Sequence, residues 1–325
     1  MEQQQDLSQP KTPSEYLQIF LTGLAMGMAD LVPGVSGGTM AFILGVYENL
    51  IDGIKSFNLT AIRLALKFDF KGLFEHIPFR FLIALGLGIM LAFIALSGIL
   101  SSLLEGETSR IFLFAFFFGL VIASIIAVGQ KVRWSMIPYI MFLVGAIVAF
   151  VIVNVVPAEG SHDPLTMFIS GAIAICAMIL PGISGSFILL ILGQYDYVLT
   201  SISDRNIEPL IFVALGCVVG IIIFSRVLSW TLKRYYDATV ALLVGFMAGS
   251  LWKIYPWKDC IDNDFDRHGD FRCLQEVNLV PPFDSNFFIA MALLLAGFLL
   301  VSFLDHMQSQ NNMFFRQFFR RRKNA

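Results

Sequence analysis

A helix-breaking stretch divides an apolar run that extends from about residue 17 to residue 51. The stretch is Asp30-Leu31-Val32-Pro33-Gly34-Val35-Ser36-Gly37-Gly38-Thr39. A helix cannot continue smoothly through it, because Pro33 lacks an amide hydrogen and because the glycines favour non-helical backbone. In a bilayer each unsatisfied backbone group costs several kcal/mol, so such a break persists only where protein or a polar cavity surrounds it. The stretch is therefore the first candidate for a binding site.

The same stretch occurs a second time in the chain, in constant register. Two apolar segments interrupted by Pro and Gly at corresponding places in two halves point to the binding site of a transporter. Weaker similarity relates residues 96–101 to 224–229 and residues 119–124 to 245–250. We predict that the helix breaks lie at Pro33, Gly34, Pro181 and Gly182. Other matched pairs are Ser36 with Ser184, Gly37 with Gly185, Gly45 with Gly193, and Glu48 with Asp196.

The composition indicates a membrane protein. Of 325 residues, 57% are hydrophobic and 14% are charged, and the mean hydropathy is +0.76. These values are too apolar for a soluble fold, so no soluble domain fits. No nucleic-acid partner is expected. The N-terminal tail has no basic segment followed by a short apolar stretch and a cleavage site, so we do not interpret it as a signal peptide. The four histidines are scattered, and no metal or cofactor is expected.

We predict an all-α polytopic membrane protein with an inverted-topology repeat, in which each repeat is a re-entrant helical hairpin followed by three transmembrane helices. Each hairpin arm has about 14 to 18 apolar residues, short of the roughly 20 that a crossing needs, which favours re-entrant arms. The chain is predicted to begin with a tail at 1–16 and to end with a basic tail at 307–325. Repeat 1 covers 17–156, with its hairpin at 17–51 and an amphipathic linker at 52–80. Repeat 2 covers 165–306, with its hairpin at 165–200 and a polar loop at 256–285.

The distribution of charge predicts the orientation. Basic residues mark cytoplasmic loops, and they concentrate in the linker, in the loops near residues 131–133 and 233–234, and in the C-terminal tail. The alternate loops are acidic. Both termini are therefore expected in the cytoplasm, and the odd number of crossings turns the second repeat upside down. Cys260 and Cys273 flank an extracytoplasmic loop in this arrangement, a location that would allow a disulfide between them.

The hairpin tips suit an anion. A helix that begins just after Pro-Gly presents unpaired amides and the positive end of its dipole, and nearby hydroxyls add donors. The alternative is that the hydroxyls only satisfy the broken backbone of a tight turn. The predicted phosphate-binding residues at the tips are Ser36, Gly37, Gly38, Thr39, Ser184, Gly185 and Ser186.

Four charged residues near the hairpins have two interpretations each. Asp30 is a candidate for a protonatable coupling site, or it caps the helix that follows. Glu48 and Asp196 are candidates for coupling or gating, or they are interfacial residues at helix ends. Arg226 lies in an apolar span, where it either captures phosphate with its fork of donors or extends to the headgroups.

These motifs resemble those of a bacterial membrane family associated with the transport of undecaprenyl phosphate, the lipid carrier of cell-wall synthesis. The resemblance covers roughly residues 17 to 305, and it rests on residues 30–39, 181–186, 245–251 and 255–257. It implies a flippase of the bacterial cytoplasmic (inner) membrane that returns the carrier to the inner leaflet. Undecaprenyl phosphate and membrane lipids would be its partners, and the oligomeric state and driving force stay open.

Two other functions are compatible with the same pattern. Undecaprenyl-pyrophosphate phosphatases also have inverted re-entrant hairpins, with a Pro-Gly-x-Ser-Arg-Ser motif. Here Gly37 and Gly38 in the first copy, and Gly185 and Ser186 in the second, stand where that motif has Arg and Ser. The arginine that would hold a pyrophosphate is missing, so we expect a transporter rather than an enzyme. The third function is proton-coupled transport of a small organic anion.

Overall fold

The computed structural model describes residues 9–32, 35–155, 160–265 and 271–309. These residues are mostly helical, which confirms the predicted α-helical membrane protein. The helices are α1 (Pro13–Asp30), α2 (Gly37–Ile43), α3 (Tyr47–Lys55), α4 (Leu59–Leu66), α5 (Phe70–His76), α6 (Phe79–Glu105), α7 (Glu107–Gly129), α8 (Met136–Val153), α9 (Pro164–Ile179), α10 (Gly185–Ile191), α11 (Tyr195–Ser203), α12 (Ile207–Arg234), α13 (Tyr236–Ser250) and α14 (Ser285–Ser309). The strands are β1 (Lys258–Phe265) and β2 (Phe271–Asn278).

Five of the described helices are long and apolar enough to cross a membrane, namely α6, α7, α8, α12 and α14. The pair α10 and α11 also passes this test as one unit, but the two helices are bent by 107°, as in a broken span or a re-entrant loop. Helix α13, one of the helices that follow the second hairpin, is shorter than the roughly 20 residues that a crossing needs, because it ends at Ser250 after 15 residues. There Ser250 Oγ donates to the Met247 carbonyl at 2.8 Å and the chain turns.

The two broken segments have the same internal spacing. Each begins with a long arm, α1 or α9, whose first helical position is a proline that follows a capping side chain, Thr12 or Asp163. After the break, α2 and α10 have seven residues each, and α3 and α11 have nine each. The short helices are joined at Gly45 and Gly193, which have φ values of +72° and +66° that favour glycine.

Glycines bring the long helices together at equivalent positions in both halves. A side chain at any of these positions would collide with backbone of the facing helix, so the glycines permit close crossings. Helix α1 packs on α6 as α9 packs on α12, while α7 packs on α14 as α13 packs on α8. The equivalent contacts are Gly23 on Leu85 and Gly171 on Val213, Gly88 on Phe20 and Gly216 on Phe168, Gly119 on Leu294 and Gly245 on Phe142, and Gly297 on Phe116 and Gly145 on Leu242.

The polar loop predicted at 256–285 contains an antiparallel hairpin formed by β1 and β2, so the description as all-α has this exception. Lys258 faces Asn278 and Cys260 faces Glu276 across the two strands. Cys260 is disulfide-bonded. The side chain of Cys273 lies outside the described side chains, so its pairing with Cys260 stays a prediction. Cys176 and Cys217 are free.

The main apolar core includes described residues beside both breaks. It includes Val35 after the first break and Ile179 and Ile183 beside the second. Val244 and Met247 of α13 also belong to this core, and both are almost completely buried. The described residues Val35, Ile179 and Ile183 beside the breaks are therefore buried in protein, as unpaired backbone within apolar surroundings requires.

Candidate functional site

Polar side chains of the first broken segment satisfy backbone groups of the second. Thr39 Oγ1 accepts a hydrogen bond from the Gly182 amide at 3.0 Å. Ser36 Oγ donates to the Leu180 carbonyl at 3.3 Å, and Tyr47 Oη donates to the Ile179 carbonyl at 3.2 Å. Three side chains from one half of the chain thus serve a break in the other half, so the two breaks form one structural unit.

The N-terminus of α2 is occupied by protein acceptors. Asp30 Oδ1 accepts the Gly37 amide at 2.6 Å, and Ser36 Oγ accepts the Gly38 amide at 3.2 Å. Of the two interpretations of Asp30, the capping contact is therefore present, and the coupling role stays a prediction. Because Ser36 and Thr39 are each only 1% exposed, the amides and hydroxyls predicted to bind phosphate at this tip face other protein groups in this conformation.

The second tip is more open. Ser184 Oγ lies 2.9 Å from Ser186 Oγ, and Ser184 is half-buried while Ser186 is exposed. Ser184, which precedes α10, makes no capping hydrogen bond with its side chain among the described residues. Gly182 has a φ of +88°, and a side chain there would collide with Met247, so glycine is required at this position. Gly185 is buried, because its Cα faces the backbone of Ala174. The two tips therefore have matched residues in different environments.

The remaining predicted residues take no part in the hydrogen bonds described above. Glu48 and Asp196 occupy the first turns of α3 and α11 and are both exposed. Arg226 is half-buried on α12, where its Nη1 donates to the Ile222 carbonyl one turn earlier at 3.3 Å. Pro33 and Gly34 lie outside the described residues, and Pro181 is buried. The binding and coupling roles of these residues stay predictions.

A polar network between α3 and α12 escaped the sequence analysis. Asp52 accepts hydrogen bonds from Ser229 Oγ at 2.8 Å and from Lys233 Nζ at 2.8 Å. Lys55 Nζ donates to Ser229 Oγ at 3.0 Å. The network joins a helix of the first half to a helix of the second. No local pattern could have revealed it, because the partners are more than 170 positions apart.

The equivalent short helices pack differently in the two halves. All seven residues of α2 are buried, and α2 contacts α7 and α9. In α10 only Gly185 and Ile188 are buried. Helix α3 packs on α12, but within the described residues α11 makes no comparable contact with α6, the counterpart of α12. The equivalent segments α2–α3 and α10–α11 are therefore packed differently in the two halves.

A charged cluster next to the second tip was also missed. Lys253 and Lys258 both bind Glu276, and the Lys253 ammonium lies 5.0 Å from the centre of the Phe187 ring on α10. Residues 256–285 are expected from the sequence only as a polar, acidic loop, and Lys253 precedes that loop. No local pattern therefore places the two lysines together beside Glu276.

The long apolar helices and the two interlocked breaks define an integral membrane protein that is built around a pair of interrupted helices. A family model described as undecaprenyl phosphate translocase-like matches residues 26–272, and the chain belongs to this family. The resemblance seen in the motifs is thereby confirmed.

Two curated relatives cover most of the chain. A polyprenyl-phosphate transporter of Vibrio cholerae is 40% identical over 298 residues, which span 89% of this chain and 96% of the relative. A polyprenyl-phosphate transporter of Staphylococcus aureus is 33% identical over 259 residues, which span 73% of this chain and 85% of the relative. No solved structure matches the chain.

Proposed function

We propose that this protein transports a polyprenyl phosphate, with undecaprenyl phosphate as the expected substrate, from the outer to the inner leaflet of a bacterial cytoplasmic membrane. The observation that carries the proposal is the contact between the two matched helix breaks. The family is described as undecaprenyl phosphate translocase-like, and the curated relatives are named polyprenyl-phosphate transporters. A break that exists twice and is shared between both halves suits a ligand that must be reached from both sides.

An inverted repeat would explain the matched contacts. The sequence offset that relates the two breaks also relates Gly23 to Gly171, and the offsets of the two weaker similarities relate Gly88 to Gly216 and Gly119 to Gly245. The pairs α7–α14 and α13–α8 exchange with each other under that repeat. The loop charges support opposite orientations for the two halves, with both termini in the cytoplasm. In that arrangement the hairpins enter from opposite faces, the linker with α4 and α5 lies on the cytoplasmic side, and β1 and β2 lie outside.

The unequal hairpins suggest an alternating mechanism. Hydrogen bonds join α3 to α12 through Asp52, Lys55, Ser229 and Lys233, so the first hairpin is closed at α3. At the second hairpin, Ser184 is half-buried and Ser186 is exposed beside α10. With the proposed orientation, this arrangement is closed to the cytoplasm and open to the outside. A phosphate would first meet the second tip while its isoprenoid tail stays in lipid. Exchange of the two arrangements would then expose the first tip on the other side.

The predicted site residues have the following roles in this mechanism. Ser184, Gly185 and Ser186 would hold the phosphate in the outward-open arrangement. After the exchange Ser36, Gly37, Gly38 and Thr39 would hold it, once Asp30 releases the Gly37 amide. Protonation of Asp30 would favour that release, because a neutral carboxyl is a weaker acceptor. Glu48 and Asp196 would respond to protonation at the two exits, and Arg226 would guide the phosphate on the cytoplasmic side.

The direct test is leaflet exchange of a polyprenyl phosphate in vesicles that contain the purified full-length protein. We expect faster loss of outer-leaflet phosphate than in protein-free vesicles, and slower loss with Ser36→Ala and Ser184→Ala combined. Unchanged exchange in the presence of folded wild-type protein would remove the proposal. In cells without a redundant transporter, depletion of the protein should increase the surface-exposed carrier.

Transport without hydrolysis is part of the proposal. Cleavage of a pyrophosphate needs a nucleophile and groups that stabilise the developing charge. Glycine stands at both positions, 37 and 185, where a phosphatase of this hairpin type has arginine. Incubation of the purified protein with a polyprenyl pyrophosphate should release no phosphate above background. Release at enzymatic rates would favour the phosphatase alternative.

A further inference from the structure

Two lysines and one glutamate meet where the β-hairpin packs on the helices. Lys253 lies in the turn after α13, Lys258 begins β1, and Glu276 lies in β2. Glu276 Oε2 is 3.0 Å from Lys253 Nζ and 3.1 Å from Lys258 Nζ, so a single carboxylate oxygen serves both ammonium groups. Lys258 Nζ also donates to the Lys253 carbonyl.

This cluster carries an excess of positive charge away from bulk water. The side chains of Lys258, Glu276 and Lys253 are only 6%, 22% and 24% exposed. Desolvation lowers the pKa of Lys258 to about 8, and Arg110 adds to this effect, although Glu276 opposes it. The Phe114 ring, 4.6 Å from Lys258 Nζ, compensates only a part of the lost hydration. Two cations that share one carboxylate in such a place favour a further anion.

The cluster lies beside the accessible tip of the second hairpin. The ring under Lys253 belongs to Phe187, which directly follows Ser186 in α10. The end of α13, just before Lys253, contacts the second break, since any side chain at Gly182 would meet Met247 and Ser250. Two separate packing contacts therefore bring the turn that contains Lys253 beside the segment that contains Ser184 and Ser186.

We propose that Lys253 and Lys258, together with Ser184 and Ser186, form a capture site for a phosphate monoester headgroup of a lipid, with Glu276 as an internal counter-ion that the phosphate replaces. This inference rests on the proposed function and names where the substrate first binds. A phosphate monoester has a charge of roughly −1.5 to −2 at pH 7, so it neutralises both ammonium groups, which the single charge of Glu276 does not. A neutral polyprenol is not bound.

The purely structural role of the cluster makes opposite predictions for one variant. If Glu276 only fastened the β-hairpin to the helices, its loss would weaken both the thermal stability of the protein and phosphate binding. If Glu276 competes with the phosphate, Glu276→Gln strengthens phosphate binding, because the lysines lose their internal partner. Lys253→Gln weakens binding by about tenfold, the usual effect of one lost charge-assisted hydrogen bond. Lys253→Arg keeps most of the affinity.

The test is equilibrium binding to the full-length protein in lipid nanodiscs, with a short-chain polyprenyl monophosphate as the probe. The corresponding polyprenol and inorganic phosphate serve as comparison ligands, and they separate a lipid headgroup site from a site for free phosphate. Lys71→Gln is the matched control, since Lys71 is exposed on α5, away from the cluster. Thermal unfolding of each variant checks that it is folded, and Lys253→Arg replaces Lys253→Gln where the latter is not.

The inference is supported by weaker binding with Lys253→Gln, unchanged binding with Lys71→Gln, and stronger binding with Glu276→Gln. It is overturned, with the transport function intact, if Lys253→Gln binds the probe as wild type does, or if Glu276→Gln does not bind the probe more tightly than wild type. It is also overturned if inorganic phosphate binds as tightly as the lipid. Wild-type protein that neither binds nor moves the lipid refutes the proposed function and this inference together.

Discussion

The hydrogen bond between Thr39 and Gly182 offers the sharpest test of the contact between the two breaks. Thr39→Val keeps the shape of the side chain and removes the oxygen that accepts the Gly182 amide at 3.0 Å. Thr39 is 1% exposed, so water cannot easily replace the lost acceptor. An orphaned buried donor costs about 1–3 kcal/mol, and hydrogen bonds between membrane helices contribute roughly 0.6–1.7 kcal/mol. We therefore expect a loss of about 1–2 kcal/mol in the free energy of unfolding.

Thr22→Val is the matched control for this measurement. Thr22 is also buried, but its Oγ1 donates to the Gln18 carbonyl of its own helix at 2.9 Å, and that carbonyl lies in the interior of α1. Its removal orphans no backbone donor, so we expect a change below about 0.5 kcal/mol. Denaturant titration of both variants in mixed micelles gives the comparison. Equal stability of Thr39→Val and Thr22→Val would refute the idea that the first segment satisfies the second break.

Three further predictions concern the packing, the network and the charged cluster. Gly38→Ala should reduce transport and stability, because a Cβ there lies 2.7 Å from the Ile179 carbonyl oxygen, whereas Gly86→Ala, with open space around it, should be neutral or slightly stabilising. Asp52→Asn should change the free energy of unfolding by less than about 1 kcal/mol, since Asp52 and Lys233 are half exposed, yet it should slow thiol labelling of Ser186→Cys if the network holds the described arrangement. Because the folded pKa of Lys258 is about 8, below its ordinary value of 10.5, the unfolded chain binds more protons between these values. Its stability should therefore rise from pH 8 to pH 10.5, and Lys258→Met should remove that rise in denaturant titrations.

Local chemistry made the broken helices predictable. Pro and Gly exclude regular helix wherever they occur, and the copy of the stretch in the second half has the same spacing, so α2 and α10 begin at equivalent residues. The capping role offered for Asp30 followed from its position before a new helix, and the contact with the Gly37 amide is present. The long spans followed from apolar length alone.

The burial and the contacts of each site residue could not be predicted from the sequence. Ser36 and Ser184 are matched residues, yet one is buried against the Leu180 carbonyl and the other is paired with the accessible Ser186. The same residues in the same register cannot reveal which copy is closed. That depends on how each copy packs against the rest of the chain, which the matched residues themselves do not specify.

The amino-acid sequence by itself determined the helix breaks, their duplication and the apolar spans, because these depend on backbone chemistry and hydrophobicity within short segments. Only the tertiary structure decided that the breaks share their hydrogen bonds, that Asp52 joins α3 to α12, and that Lys253 and Lys258 lie beside the second tip. Thr39 and Gly182 are 143 positions apart. Contacts over such distances arise from how the helices pack, and no local pattern of residues specifies them.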